Sequence, residues 1–490
     1  MKVGAEVSKR FVTNVGGTLA GFVGTAVIGY TLGEEGLGSY AIFLSLQMLL
    51  AAAVSFGLYN TVTKLVSAGG NRARHYTSGV LFVLGGTAVS AVVAVTLRGR
   101  IDRVIGVDGA LLLPLGVLTY GLFRLTGAFL EGEGRVALAG LVENSRYLVI
   151  VAIQLVLLLG LEWGVRGLIW GLVAGQFVTF LVAYAYARVV PARPSRALFS
   201  EFVDFSKFAY LQTMSSQLFK HADYVLLGAF VGPGAAGIYK VSFTVTEAAM
   251  LFSAALSRVS FPEFSRLTAE ERAEKVRNLL GKATSYAGLF ALPALAGGAV
   301  VGNDLLATLF GVDPGTVVLP VLGTVGQGNV LVVLLALANL ANGFRSSFES
   351  YFLGTDRPQV AAASSVLLIL VYGAVFYPLV RAFDAAGLAV TTTLAFAVSV
   401  AYLVHRLDYP IPGEALRDIA TQVAAALVMA VVVVVVTGLL GGAAGPVRLA
   451  AVLTVGAATY FASLVTLNER IRNDAVWVLR DLAAERGGGS

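Results

Sequence analysis

Apolar runs of roughly 17 residues or more recur from one end of this chain to the other, the length a helix needs to cross a bilayer. Between them lie only short clusters of glycine, proline and charge, none long enough for a soluble domain. Hydrophobic residues make up 57% and charged residues 13% of the 490 residues, and mean hydropathy is +0.81. The expected fold is therefore an all-α polytopic membrane protein.

About fourteen transmembrane helices are expected. The first six cover 11–32, 38–66, 76–97, 111–130, 137–161 and 167–190; six more cover 205–231, 237–259, 282–301, 327–352, 360–380 and 385–404; the last two cover 419–440 and 447–467. The first run is too long for a signal-peptide core and lacks a cleavage site, so it stays as a helix. These spans predict an N-terminal lobe (1–190), an interfacial linker (191–204), a C-terminal lobe (205–406), an appended helix pair (407–467) and a cytoplasmic tail (468–490).

With the N-terminus inside, 25 Lys and Arg are assigned to the inner side and tails, six to the outer side, and four to membrane depth: Arg124, Lys220, Lys240 and Arg345. That bias places both ends in the cytoplasm, in a cell membrane. The net charge of +6 then reflects topology, and no nucleic-acid partner is expected. No cysteine and three histidines leave no metal site in view.

The chain repeats itself. Gly33-x4-Gly38-x-Tyr40 returns as Gly232-x4-Gly237-x-Tyr239 at an offset of 199, Phe129-Leu130 as Phe352-Leu353 at 223, and Gly167-Leu168 as Gly387-Leu388 at 220. Two pseudo-two-fold related six-helix lobes plus two C-terminal helices follow, with a cavity between the lobes as parallel-repeat transporters build it.

The segment from Ser206 to Lys240 opens the second half and carries Lys220, His221 and Asp223 at membrane depth. Ionisable groups there are costly unless paired or facing a wet cavity. Lys220 and Asp223 share a face with Thr213, Gln217 and Tyr224, from which His221 points away, so they either pair with each other or line a transport path. Elsewhere, Thr268 and Glu271 form a predicted capping box for an amphipathic surface helix over 268–282. Gly167, Gly171 and Gly175 should let a neighbouring helix approach closely.

TLGEEGLGSYAIF, HADYVLLGAFVGPGAAGIYKVSF, FPEFSRL and FLGTDRP, in this order and spacing, resemble the lipid-linked oligosaccharide flippases, O-antigen and polysaccharide exporters of the Wzx type, within the multidrug/oligosaccharidyl-lipid/polysaccharide exporter superfamily. The resemblance covers essentially the whole chain. It implies a non-enzymatic flippase that moves a polyprenyl-phosphate- or pyrophosphate-linked oligosaccharide to the outer leaflet by alternating access. Membrane lipids surround it, glycan-assembly enzymes are implied partners, a monomer is favoured, and the host is expected to be prokaryotic.

The resemblance also implies that basic residues hold the phosphate, for which Arg124, Lys220 and Arg345 are the candidates, with Lys240 further outward. Arg124 and Arg345 could equally snorkel to the interface. Asp223 and Glu247 could pair with these cations or carry a coupling H+ or Na+; no other cofactor is expected. Asn14, Gln47, Asn60, Gln154, Gln176 and Gln217 could bind sugar hydroxyls or bond between helices. Rival readings are an ion-coupled multidrug/cation antiporter, a peptidoglycan lipid-precursor flippase and, less favoured, a membrane glycosyltransferase or polymerase.

Overall fold

In the computed structural model, residues 2–473 are described except 56, 70, 191, 195–213, 215, 216, 219, 320–322 and 442–444; side chains at 2–20, 248–259 and 319 are also not described. The chain forms two compact units, Met1–Lys240 and Val241–Ser490. Helices dominate both.

The first unit contains α1 (Lys2–Ser55), α2 (Leu58–Ser67), α3 (Arg72–Thr96), the short α4 (Arg98–Ile105), α5 (Leu113–Gly132), α6 (Val136–Leu155) and α7 (Gly164–Ala187). Residues 220–230 are helical and lead into α8 (Pro233–Ala269). Then come α9 (Ala273–Ala287), α10 (Ala291–Phe310), strands β1 (Thr316–Leu319) and β2 (Gly323–Gly326), α11 (Gln327–Gly354), α12 (Pro358–His405), α13 (Gly413–Leu440) and α14 (Pro446–Leu467).

Ten helical stretches among the described residues are long and apolar enough to cross a membrane. Two of them each hold a pair of the expected spans. At 1.5 Å per residue, α1 and α12 would run about 80 and 70 Å, more than twice the hydrocarbon thickness. Each is broken near the middle, α1 at Gly33 (φ 65°, ψ −166°) and α12 at Asp384 (φ 49°, ψ −128°). With those two counted twice, ten crossings become twelve; residues 220–230 and α8 stand where the seventh and eighth spans are expected.

Two expected spans are interrupted. The second breaks at Gly57, which is left-handed (φ 71°) between α1 and α2. The ninth breaks at 288–290, with Pro293 in the first turn of α10, where a missing N–H costs nothing. The capping box does not form, because α8 continues through Thr268 to Ala269 and Glu271 is left-handed (φ 56°) in the turn before α9. Val276 and Leu280 of α9 bury as the amphipathic pattern requires, against Phe264, Phe348 and Phe352.

The internal repeat is written in the backbone. Among the described residues, ten of the sixteen with positive φ fall into ordered pairs, Gly33 with Gly232, Gly69 with Glu271, Gly106 with Gly311, Gly134 with Asp356 and Glu162 with Asp384. Helices end in such conformations, so the pairs mark equivalent turns. Their offset drifts from 199 to 205, then jumps to 222 across the β1–β2 hairpin, an antiparallel insertion in the second half. Packing repeats too: Gly132 lies against the Thr63 carbonyl and Val66, and Gly354 against the Phe261 carbonyl and Phe264. The offset of 222 puts the Phe129-Leu130 and Phe352-Leu353 match one residue out of register.

The paired motifs themselves meet inside the first unit. A Cβ added to Gly38 would sit 1.7 Å from the Pro233 carbonyl oxygen, and one added to Gly237 1.9 Å from that of Glu34. Each repeat's glycine thus admits the other's backbone. The sixth-span glycines act as expected, Gly171 meeting Gln154 and Gly175 meeting Ile150 on α6.

In the second unit a buried carboxylate fastens the last helices. Asp418 of α13 accepts hydrogen bonds from Ser285 Oγ (2.7 Å) and Asn468 Nδ2 (2.8 Å), and Arg470 approaches it at 3.5 Å. Asp418→Ala would leave the buried Ser285 hydroxyl without this acceptor, while Asn468 keeps Thr421 and Arg470 keeps Glu414, so it should destabilise the protein by about 1–3 kcal/mol. Thermal unfolding in detergent would measure this as a lowered midpoint.

Candidate functional site

Arg124 of α5 and Glu143 and Arg146 of α6 form the main charged cluster described in the first unit. One carboxylate bridges two guanidiniums: Glu143 Oε2 lies 3.3 Å from Arg124, and Oε1 lies 3.0 Å from Arg146. The three together carry a net charge of +1. Arg146 is buried, its guanidinium 4.5 Å from the Tyr147 ring centroid, 5.4 Å from Phe123 and 5.9 Å from Tyr120. Such aromatic faces stabilise a desolvated cation.

Arg124 is about one-third exposed and lies 5.7 Å from the Tyr59 ring. It lines a cavity of about 120 Å³ with Tyr59, Asn60, Tyr120, Met48, Ser55 and Gln217. Gly57 is also in its wall, so the break between α1 and α2 helps to shape it. Arginine, phenols and amides are the donor set an anionic, hydroxyl-rich ligand requires.

Other candidate residues are placed differently. Lys220 is exposed, while Asp223 is buried and accepts a hydrogen bond from Tyr239 at 2.5 Å. Tyr224 packs edge-on against Tyr239, and Lys240 lies 6.0 Å above the Tyr224 ring. His221 Nδ1 is 3.2 Å from Ser45 Oγ. Glu247 is exposed, and Thr213 and Asn14 fall outside the described side chains.

Of the amides, Gln47, Gln154 and Gln176 are engaged between helices. Gln47 donates to the Gly116 carbonyl (3.1 Å) and to Gln176 (3.1 Å), and Gln154 donates to the Tyr40 hydroxyl and the Leu168 carbonyl, both at 2.8 Å. Asn60 and Gln217 line the cavity.

In the second unit, Arg345 of α11 pairs with Glu349 one turn on, with Asn342 at 3.3 Å and the Phe396 ring at 5.5 Å. Ser364 Oγ donates to Glu349 at 3.4 Å. This site is charge-neutral. At the offset of 222, Arg124 corresponds to Ser346, so Arg345 sits one residue away, about 100° around the helix.

A family model described as "polysaccharide biosynthesis protein" matches residues 76–313. Two Haloferax volcanii proteins are similar along most of their lengths. One, a probable low-salt glycan biosynthesis flippase (Agl15), is 23% identical over 404 residues, 82% of each chain. The other, the probable flippase AglR, is 23% identical over 482 residues, 96% of this chain and 97% of its own. The fold is also that of the lipid II flippase MurJ in an inward-closed conformation, with a TM-score of 0.76 at 12% identity, covering 94% of this chain and 99% of that one. In sequence the chain is similar to polysaccharide-biosynthesis proteins and flippases, and in fold to transporters of the multidrug/oligosaccharidyl-lipid/polysaccharide exporter superfamily. An inward-facing multidrug transporter of that superfamily shares the fold more distantly, with a TM-score of 0.60 at 14% identity, covering 79% of this chain and 92% of its own.

Arg146 is the member of the charged cluster that sequence reasoning missed. The Lys and Arg bias assigns its charge to the inner side, although it lies inside the fifth expected span. The signal was Glu143 three residues before it, an i,i+3 pair that reads as self-neutralising until Arg124 joins from the neighbouring helix.

Proposed function

We propose that this chain is a flippase carrying a polyprenyl-phosphate- or pyrophosphate-linked oligosaccharide from the cytoplasmic to the outer leaflet of a cell membrane, for glycan biosynthesis. One observation carries the reading: the cavity wall holds Arg124, part of a cluster with one more cation than anion. A phosphate head is attracted to that excess and a lipophilic cation is repelled, which disfavours the drug-antiporter alternative. The description of Agl15 as a probable low-salt glycan biosynthesis flippase supports the same cargo, and that of AglR as a probable flippase supports the same activity.

In this reading Arg124 takes the phosphate first, the cavity tyrosines and Asn60 and Gln217 face the proximal sugar, and Lys220 and Lys240 add positive charge in the same unit. The isoprenoid tail stays in the lipid. Asp223, held by Tyr239, and Glu247 are the candidates to carry a coupling proton or sodium ion. Both chain ends lie in the cytoplasm, as the Lys and Arg bias supports, where glycan-assembly enzymes would hand over the cargo to a monomer.

Reconstitution in proteoliposomes tests this. A fluorescent short-chain polyprenyl-pyrophosphate glycan should become accessible across the bilayer with the wild type, and Lys220→Ala should slow it several-fold with insertion intact. Efflux of a lipophilic cation dye on a proton or sodium gradient, without glycan-lipid flipping, would move the chain to the drug-antiporter reading.

A further inference from the structure

Glu143 is bound unequally by its two arginines. Arg146 is fixed: its side chain is 7% exposed and ringed by Tyr147, Phe123 and Tyr120. Arg124 and Glu143 are 31% and 32% exposed, and Arg124 reaches the carboxylate through one nitrogen at 3.3 Å. Arg146 also uses a single nitrogen, but its contact is shorter, at 3.0 Å, and made from a buried position, so the two contacts differ in length and burial. The two contacts use different carboxylate oxygens, so one can be lost while the other stays.

From this asymmetry we infer that Glu143 is an exchangeable counter-ion, occupying Arg124 while the cavity is empty and ceding it to the cargo's phosphate, with Arg146 retaining the displaced carboxylate. The inference deepens the flippase reading and rests on it. Before cargo arrives, the carboxylate spares Arg124 the cost of standing unpaired in a partly dry cavity. When the phosphate must leave, the same carboxylate competes for Arg124 and speeds release. A fixed tether between α5 and α6 would need neither the exposure of the pair nor a second arginine, since the two helices are already joined by a turn of three residues, 133–135.

Binding of farnesyl phosphate to the purified full-length protein in detergent separates exchange from tethering. Glu143→Gln removes the competing charge with little change in shape, so the affinity should rise at least fivefold, while the flipping rate of a polyprenyl-pyrophosphate glycan at saturating concentration falls at least threefold. The gain in affinity should vanish when Arg124→Ala is added. Unchanged or weaker binding by Glu143→Gln would overturn the inference, as would a gain that persists without Arg124. If the wild type neither binds farnesyl phosphate nor flips the glycan lipid, the flippase reading fails first and the inference with it; if the wild type does both, only the inference is at stake.

Discussion

Gly38→Val should lower the unfolding midpoint of the protein steeply, or prevent folding altogether. A Cβ at this position would stand 1.7 Å from the Pro233 carbonyl oxygen and 2.9 Å from the Gly237 nitrogen. The obstruction is backbone, so no rotamer change relieves it. Over-packing costs about 1–3 kcal/mol where side chains can adjust, and more than about 3 kcal/mol is expected where two helix ends must separate. Gly237→Val should cost a similar amount, since the Glu34 carbonyl obstructs it at 1.9 Å. Because one separation accommodates both, the double variant should cost little more than either single one, a strong departure from additivity. Gly127→Ala and Gly373→Ala, with nothing within 4 Å of the added carbon, supply controls that should change stability by less than about 1 kcal/mol.

Arg124→Ala should reduce the initial rate of glycan-lipid flipping about 30-fold, equivalent to about 2 kcal/mol in the barrier. Stability should fall much less, because Glu143 keeps Arg146 and the site is partly open. Arg124→Lys should recover only part of the rate, since an ammonium supplies charge without the planar fork that matches phosphate. Rates normalised to correctly inserted protein in proteoliposomes would measure this. Equal rates for wild type and Arg124→Ala would remove the cavity from the cargo's path.

The membrane spans were legible because each needs about twenty apolar residues and the chain offers little else. What composition did not show was the break at Gly57, where the backbone turns left-handed inside an expected span; the breaks at Gly33, next to Glu34 and Glu35, and at Asp384 fall in the gaps between expected spans. The repeat was legible through its glycines, since Gly38 and Gly237 are small for a steric reason that both halves share. Its register near the tenth span was not, because two aromatic-Leu dipeptides one residue out of step look alike, whereas the turns at Gly134 and Asp356 fix the offset.

The candidate site was half legible. Arg124 stood out as a cation inside a span, and it does line a cavity. Its bond to Glu143 joins two helices, and no local spacing announces such a contact. Asp223 shares a helix face with Lys220 by i,i+3 spacing, but its hydrogen bond from the Tyr239 hydroxyl comes from another helix and is not announced by that spacing. Local periodicity shows which residues share a face; the partner across the interface depends on tertiary packing.

The most direct test of the central claim compares two cargoes in one preparation: a fluorescent polyprenyl-pyrophosphate glycan and the same polyprenyl glycoside without phosphate. If the cationic cluster recognises an anionic head, the wild type should flip the phosphorylated lipid at least tenfold faster than the neutral one. Equal rates for the two lipids would contradict the account.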